Sequence, residues 1–190
     1  MKTANLLEIS NDFKKKADIL LSQTGLLEDL KKFGDVQTSG AYSGNVMLSG
    51  DIDVTVIRQD PYSAEEVLEI LKELYLKSKF RSYFIKGDWD DDRKGNEFPN
   101  GHYMGLKQRL DGEKWKVDIW FMSEEEFRKR QSDFLDIGKR KFSEEERLVI
   151  LNLKKERNDH VLDISSQQIY EAVLNGGIRT LEEVKQFLKT

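Results

Sequence analysis

An α+β fold, one mixed β-sheet packed by helices and followed by a helical C-terminal extension, is what this sequence predicts. Three observations carry the expectation. Apolar residues recur at helical spacing at both ends of the chain, and the middle alternates with period two and carries a hairpin signal. One well-capped helix interrupts the strand segments, so the order runs helices, sheet with a crossover helix, helices, an arrangement of the α+β or α/β group.

The elements follow in order. Leu6, Leu7, Ile9, Phe13, Ala17, Ile19 and Leu20 trace a first helix, and residues 26–33 read as a second, short one ending at Gly34. Residues 35–39 read as a strand, Gly40 to Gly44 as a loop of small residues, and 52–57 as a clearly alternating strand. Ser63 and Glu66 form a capping box, and behind it Val67, Leu68, Ile70, Leu71 and Leu74 give a helix with one apolar face. Three further β segments, 80–87, 102–110 and 114–121, come next, the last two joined by Asp111-Gly112-Glu113, in which Asp-Gly marks a hairpin turn. The polar, turn-rich stretch 88–100 between the first two reads as an exposed loop. Capping boxes at Ser123/Glu126, Ser143/Glu146 and Thr180/Glu183 then start helices, with Gly176-Gly177 breaking the chain before the last.

With 190 residues, 38% of them hydrophobic, the chain closes one sizeable core and has room for an appendage. The expected division is a domain over 1–140, N-terminal helices included, and a helical extension over 141–190. The 35 acids outnumber the 31 bases for a net charge of −4, which gives no general attraction for polyanions and argues against a long nucleic acid as partner. The absence of cysteine removes disulfides, thiolate metal sites and a cysteine nucleophile. The first residues lack the apolar stretch of a signal peptide, and no run approaches the ~20 apolar residues of a membrane span. The expected compartment is therefore the cytoplasm. Oligomeric state does not follow from these residues.

The chemistry-bearing feature is a set of three aspartates. Side chains alternate across a strand, so Asp51 and Asp53 project from one face roughly 7 Å apart, while Ile52, Val54 and Val56 fill the other. In the last β segment, Trp115, Val117, Ile119 and Phe121 point one way and leave Asp118 on the opposite face with Lys116 and Trp120. If the two strands pair, three carboxylates converge. Such a cluster repels itself unless cations compensate it, and Mg²⁺ prefers oxygen ligands while keeping positions open for substrate phosphates. Taken alone, Asp-Ile-Asp also reads as a solvated strand face. Asp118, flanked by Val117, Ile119 and Trp120, is harder to leave unpaired, because an uncompensated charge in an apolar strand is costly. Gly40 and Gly44 precede the pair in a turn where backbone amides can approach a phosphate, although glycine turns between strands are commonly only turns.

In the small-residue turn Thr38-Ser39-Gly40-Ala41-Tyr42-Ser43-Gly44, the acid pair Asp51-Ile52-Asp53 and the later Val117-Asp118-Ile119, the chain resembles the nucleotidyltransferase superfamily that includes DNA polymerase β, antibiotic-modifying nucleotidyltransferases and many small bacterial enzymes. The likeness covers about 35–121. It implies Mg²⁺ or Mn²⁺, and a nucleoside triphosphate whose α-phosphorus is attacked by an acceptor hydroxyl with loss of pyrophosphate. Small size and the acidic balance favour a small-molecule acceptor, with a protein or RNA end as the other acceptors. Asp51, Asp53 and Asp118 would be the catalytic and metal-holding residues, Asp118 also activating the acceptor. Ser39, Gly40, Ala41, Ser43 and Gly44 would border the nucleotide phosphates, and the segment from Ser143 onward would border the acceptor or the base. The sequence departs from the pattern at Ala41, where a phosphate-contacting serine often stands. That departure motivates a catalytically silent binding module as the alternative, and metal-dependent phosphoester hydrolysis is a second.

Lys107 and Arg109 share a face of their strand, and Lys116 shares one with Asp118, so Lys107 and Lys116 in particular are candidates for neutralising triphosphate charge, against the plainer reading of a solvated sheet face. His102 and His160 have no partner spacing for zinc. Of the three tryptophans, Trp115 is expected in the core and Trp120 to stack a base. The run Asp88, Asp90, Asp91 and Asp92 lacks the offsets of a calcium loop.

Overall fold

Alternation in the central strands, together with the helices that cover one sheet face, decides the architecture. The computed structural model describes residues 4–86, 99–129 and 141–189. Its elements are α1 (Ala4–Thr24), α2 (Leu26–Leu30), β1 (Asp35–Ser39), α3 (Gly40–Ser43), β2 (Gly50–Arg58), α4 (Ala64–Leu76), β3 (Ser82–Lys86), β4 (Gly101–Leu110), β5 (Glu113–Ser123), α5 (Glu124–Lys129), α6 (Glu144–Asp159), α7 (Ser166–Gly176) and α8 (Leu181–Phe187). The strands form one mixed sheet in the order β1-β2-β5-β4-β3. Only the central pair, β2 with β5, is parallel.

The period-2 pattern sorts the sheet faces as expected. Ile52, Val54 and Val56 of β2, Met104 and Leu106 of β4, and Trp115, Val117, Ile119 and Phe121 of β5 are buried in one core with Ala17, Leu20 and Leu21 of α1 and Val67, Ile70 and Leu74 of α4. Each such side chain contributes about 1.5–3 kcal/mol when withdrawn from water, so this cluster is the main source of stability. The β4–β5 hairpin turns through Asp111 and Gly112, both at positive φ (50° and 81°), which matches the right-handed twist of the strands. A second core gathers Ile150, Leu151 and Leu153 of α6, Ile169, Tyr170, Ala172 and Val173 of α7, and Leu181 and Val184 of α8. Leu6 of α1 and Val46 also belong to it, so the C-terminal helices are built onto the start of the chain and the segment before β2.

Capping boxes close at Ser63/Glu66, Ser143/Glu146 and Thr180/Glu183, each with reciprocal bonds between side chain and backbone. A further box at Ser165/Gln168, with Gln in the place of the more usual Glu, starts α7. At Ser123 the hydroxyl accepts from the Glu126 amide (3.2 Å), while the Glu126 carboxylate accepts from the Asn100 amide (3.0 Å) and ties α5 to the start of β4.

Two readings are corrected. Residues 40–44 are a single helical turn rather than a loop: Gly40, at φ 63°, swings the chain out of β1, and the Gly44 amide then bonds back to the Gly40 carbonyl at 3.1 Å. The second helix stops at Leu30, three residues early. Gly87, Trp89, the acidic run 88–92 and the 140/141 boundary lie outside the described residues. Among the described residues, no helix is long and apolar enough to cross a membrane.

Candidate active site

The parallel register of β2 on β5 places Asp53 directly opposite Asp118, and Asp51 opposite Lys116. Antiparallel pairing adds Ser39 beside Asp53 on the other flank and Gly105 beside Asp118. All three aspartates therefore occupy the sheet face away from the main core, gathered at its centre by backbone ladder geometry.

In front of this face is a cleft of about 340 Å³. Ser39, Gly40, Ala41, Asp51, Asp53 and Thr55 line one wall, and Lys154, Arg157 and Asn158 of α6 with Ser166, Gln167 and Tyr170 of α7 line the other. Trp120, Met122, Phe127 and Pro99 add apolar surface. Gly40 comes close to the acids: a Cβ there would stand 2.2 Å from Asp53 Oδ2.

The electrostatics of the two walls are opposite. Burial, then the charges of Asp51 and Asp118, push the Asp53 carboxyl up to about 7. Asp51 is raised too, by burial first and by Asp118 against the lowering effect of Lys116. Across the cleft, burial and then the neighbouring Arg157 bring the Lys154 ammonium down to about 8. Lys154 Nζ donates to the Val46 carbonyl (2.8 Å) and lies 3.4 Å from the Tyr170 hydroxyl. Arg157 is held by the Ile164 carbonyl (3.0 Å) and the Ser166 hydroxyl (3.1 Å).

Asp118 differs from its two companions. Its Oδ1 accepts from the Tyr103 hydroxyl at 2.5 Å, and its Oδ2 is ion-paired with Lys116 Nζ at 2.6 Å. Burial pulls the Lys116 ammonium down, but the bond to Asp118 and the charges of all three aspartates win and raise it. Burial and then the Asp118 bond raise Tyr103. No hydrogen bond or ion pair to another described residue engages the side chain of Asp51 or Asp53. In this arrangement no three His, Asp or Glu side chains among the described residues are grouped as metal ligands.

The expected site residues divide. Ser39, Gly40, Ala41, Asp51 and Asp53 meet at the cleft, with Asp118 adjoining through the β2–β5 pairing. Ser43 instead donates to the Thr38 hydroxyl (2.9 Å), and Gly44 is pressed against the Phe142 ring of the second core. Lys107 lies over the Phe84 ring (5.3 Å to its centroid), and Lys116 faces Asp118. Lys154 and Tyr170 were not foreseen. One signal was available: Lys154 falls four residues after Ile150, on the buried stripe of α6, where a lysine is out of pattern. His102 Nε2 bonds the Tyr62 carbonyl at 3.0 Å, and His160 caps α6.

Strand order, parallel centre and helical covering define an α+β, nucleotidyltransferase-like fold. Among solved structures, the poly(A) polymerase complex GLD-2–GLD-3 superposes with a TM-score of 0.51 at 13% identity, over 89% of this chain and 57% of that one. A GLD-2–RNP-8 complex superposes at 0.47 and 11% identity, over 92% and 61%. This chain thus spans less than two thirds of the length of either. No protein-family model and no curated protein sequence matches it.

Proposed function

We propose that the protein is a metal-dependent nucleotidyltransferase, transferring a nucleoside monophosphate from a nucleoside triphosphate to a hydroxyl-bearing acceptor. The observation that carries this reading is the register of Asp53 on Asp118, with Asp51 on the same face, at the edge of a cleft whose far wall is cationic. Acids on one wall suit a divalent cation, and cations on the other suit the phosphates that accompany it.

The residues fit Mg²⁺ or Mn²⁺. The donors are carboxylate oxygens, Asp51 and Asp53 are not engaged by other described side chains, and Gly40 keeps clear the space a Cβ would fill. A bound divalent cation would supply charge neutralisation at the reacting phosphate. Asp51, Asp53 and Asp118 would hold it, and Asp118 would also take the proton of the acceptor hydroxyl. The acceptor oxygen bonds the α-phosphorus as the bond to the β-phosphate oxygen breaks, and pyrophosphate leaves. Lys154 and Arg157 would stabilise the charge of the triphosphate, a service usually worth more in a buried cleft than in water. Trp120 offers a face for the base.

Net charge and cleft size favour a small-molecule acceptor. Likeness of fold to a poly(A) polymerase makes an RNA 3′-hydroxyl the second acceptor to test. Incubation with Mg²⁺, each nucleoside triphosphate and a panel of both acceptor types should release pyrophosphate only when an acceptor is present. Asp53→Asn and Asp118→Asn should each abolish release while keeping the wild-type circular dichroism spectrum. Wild-type turnover by either variant would remove the proposed roles.

A second reading, a nucleotide-binding module without turnover, draws on Ala41 and on the engagement of both Asp118 oxygens. Metal-dependent nucleotide binding with no pyrophosphate release under any acceptor would favour it.

A further inference from the structure

We propose that Lys116 is an internal counter-ion that holds Asp118 in the metal-free protein and must let go of it when Asp118 becomes a metal ligand, so that Lys116 sets the affinity and the order of metal binding. The inference rests on the metal-dependent reading above and adds a positioning residue to it.

Three features support it. First, charge placement is fixed by backbone register: Lys116 faces Asp51 across the β2–β5 ladder, and on its own strand it stands two residues before Asp118, on the same face. The ammonium is therefore a positive charge ion-paired within the acid face of the sheet, with Lys107 opposite it on β4 turned over the Phe84 ring, and it lies where three carboxylates would otherwise repel one another. Second, the two contacts to Asp118 are unlike. The Tyr103 hydroxyl on Oδ1 is a neutral donor from the neighbouring strand and leaves the carboxylate charge available. The Lys116 ammonium on Oδ2 supplies a full positive charge, in competition with any cation that would use the same oxygen. Third, Lys116 can leave. Its side chain is 40% exposed against 16% for Asp118, so the ammonium can move into water on its flexible stem while the carboxylate stays.

The consequence is an exchange of one cation for another at Asp118. Asp51 and Asp53, which no described side chain engages, would take the divalent ion first. Only an ion already held by that pair, and strengthened by the triphosphate it carries, would then outcompete a tethered ammonium for Asp118. Activation of the acceptor by Asp118 would thereby wait for a loaded site. Like-charge relief also explains why a lysine is placed beside the acids, where an apolar residue would leave Asp118 uncompensated.

The test uses the full chain and Mn²⁺ alone as probe. Mn²⁺ affinity is measured calorimetrically for the wild type, for Lys116→Met and for Lys116→Gln, with circular dichroism confirming that each is folded. In parallel, the acylation rate of Lys116 is followed by mass spectrometry with and without saturating Mn²⁺. Both variants are expected to bind Mn²⁺ more tightly, by up to about fivefold, and Lys116 is expected to label several-fold faster when Mn²⁺ is bound. Unchanged affinity in both variants, or an unchanged labelling rate at saturation, overturns the counter-ion role while leaving the metal site standing. Absence of Mn²⁺ binding by the wild type and both variants alike would remove the metal-dependent reading together with this one.

Discussion

Gly40 and Asp53 stand so close that a side chain at residue 40 would have to push the Asp53 carboxylate aside: a Cβ would lie 2.2 Å from Asp53 Oδ2. The same glycine is at φ 63°, a conformation that costs an L-residue about 1–2 kcal/mol. Gly40→Ala is therefore expected to destabilise the protein by about 2 kcal/mol or more through strain and contact together. It should also displace the Asp53 carboxylate and weaken Mn²⁺ binding. Urea denaturation and calorimetry on one preparation check both effects, and a variant with wild-type values for both would show that the approach is unimportant.

The raised Asp53 carboxyl makes stability depend on pH. Its ionisation lies at about 7 in the folded protein, through burial first and the charges of Asp51 and Asp118 second. In the unfolded chain an aspartate ionises near about 3.9. Between those values the folded state keeps a proton that the unfolded state has released. The stabilising contribution is thus complete below about pH 4 and is lost as pH rises through about 7. In EDTA, Asp53→Asn should be more stable than the wild type at pH 8 by on the order of 2–4 kcal/mol, and the difference should vanish near pH 4. Urea midpoints measured across that range check the sign, and a constant difference would contradict it.

Much of this site is legible in the sequence because strands impose a simple rule. Ile52, Val54 and Val56 mark the buried face of β2, and that alone sends Asp51 and Asp53 to the other; Trp115 to Phe121 do the same for Asp118. Pairing of β2 with β5 was not legible, since nothing in either strand states its neighbour, and the Asp53–Asp118 register depends on it. The cationic wall was hidden for a related reason. Lys154 and Tyr170 reach the cleft only because α6 and α7 pack onto Val46 and Leu6, contacts separated by more than a hundred residues. Likewise, glycine content for Gly44 and the resemblance for Ser43 implied that these residues attend the phosphates, but the helical turn of α3 rotates them toward Phe142 and Thr38.

Trp120 gives a spectroscopic handle. Its ring lines the cleft and packs at 5.4 Å, tilted 58°, against Tyr103, the residue that bonds Asp118. Trp115 is buried on the other sheet face, out of reach of any cleft ligand. Nucleotide binding should therefore change tryptophan emission in the wild type, and the cleft component of that change should be lost in Trp120→Phe. Base–aromatic stacking is worth about 1–3 kcal/mol, so Trp120→Ala should weaken nucleotide binding by roughly 5- to 150-fold. An unaltered dissociation constant would place the base elsewhere.

Lys154 separates binding from folding. A buried ammonium bonded to the Val46 carbonyl, and lowered to about 8 by burial and then by Arg157, is held ready for an anion. Methionine keeps the length of the stem and removes the charge, so Lys154→Met should fold, yet bind triphosphate at least roughly tenfold more weakly, because a charge-assisted contact in a cleft is lost. KM for the nucleotide should rise more than kcat falls, since in the proposed site the amine would touch phosphates rather than the acceptor. Stability supplies an independent check with a definite sign. A lysine lowered in the folded state sheds its proton there before the unfolded chain does, so the wild type gains stability relative to Lys154→Met as pH rises from about 8 to about 10.4. If instead the two proteins keep a constant difference over that range and bind triphosphate equally, Lys154 serves only to tie α6 to the segment before β2, and the cationic wall reduces to Arg157.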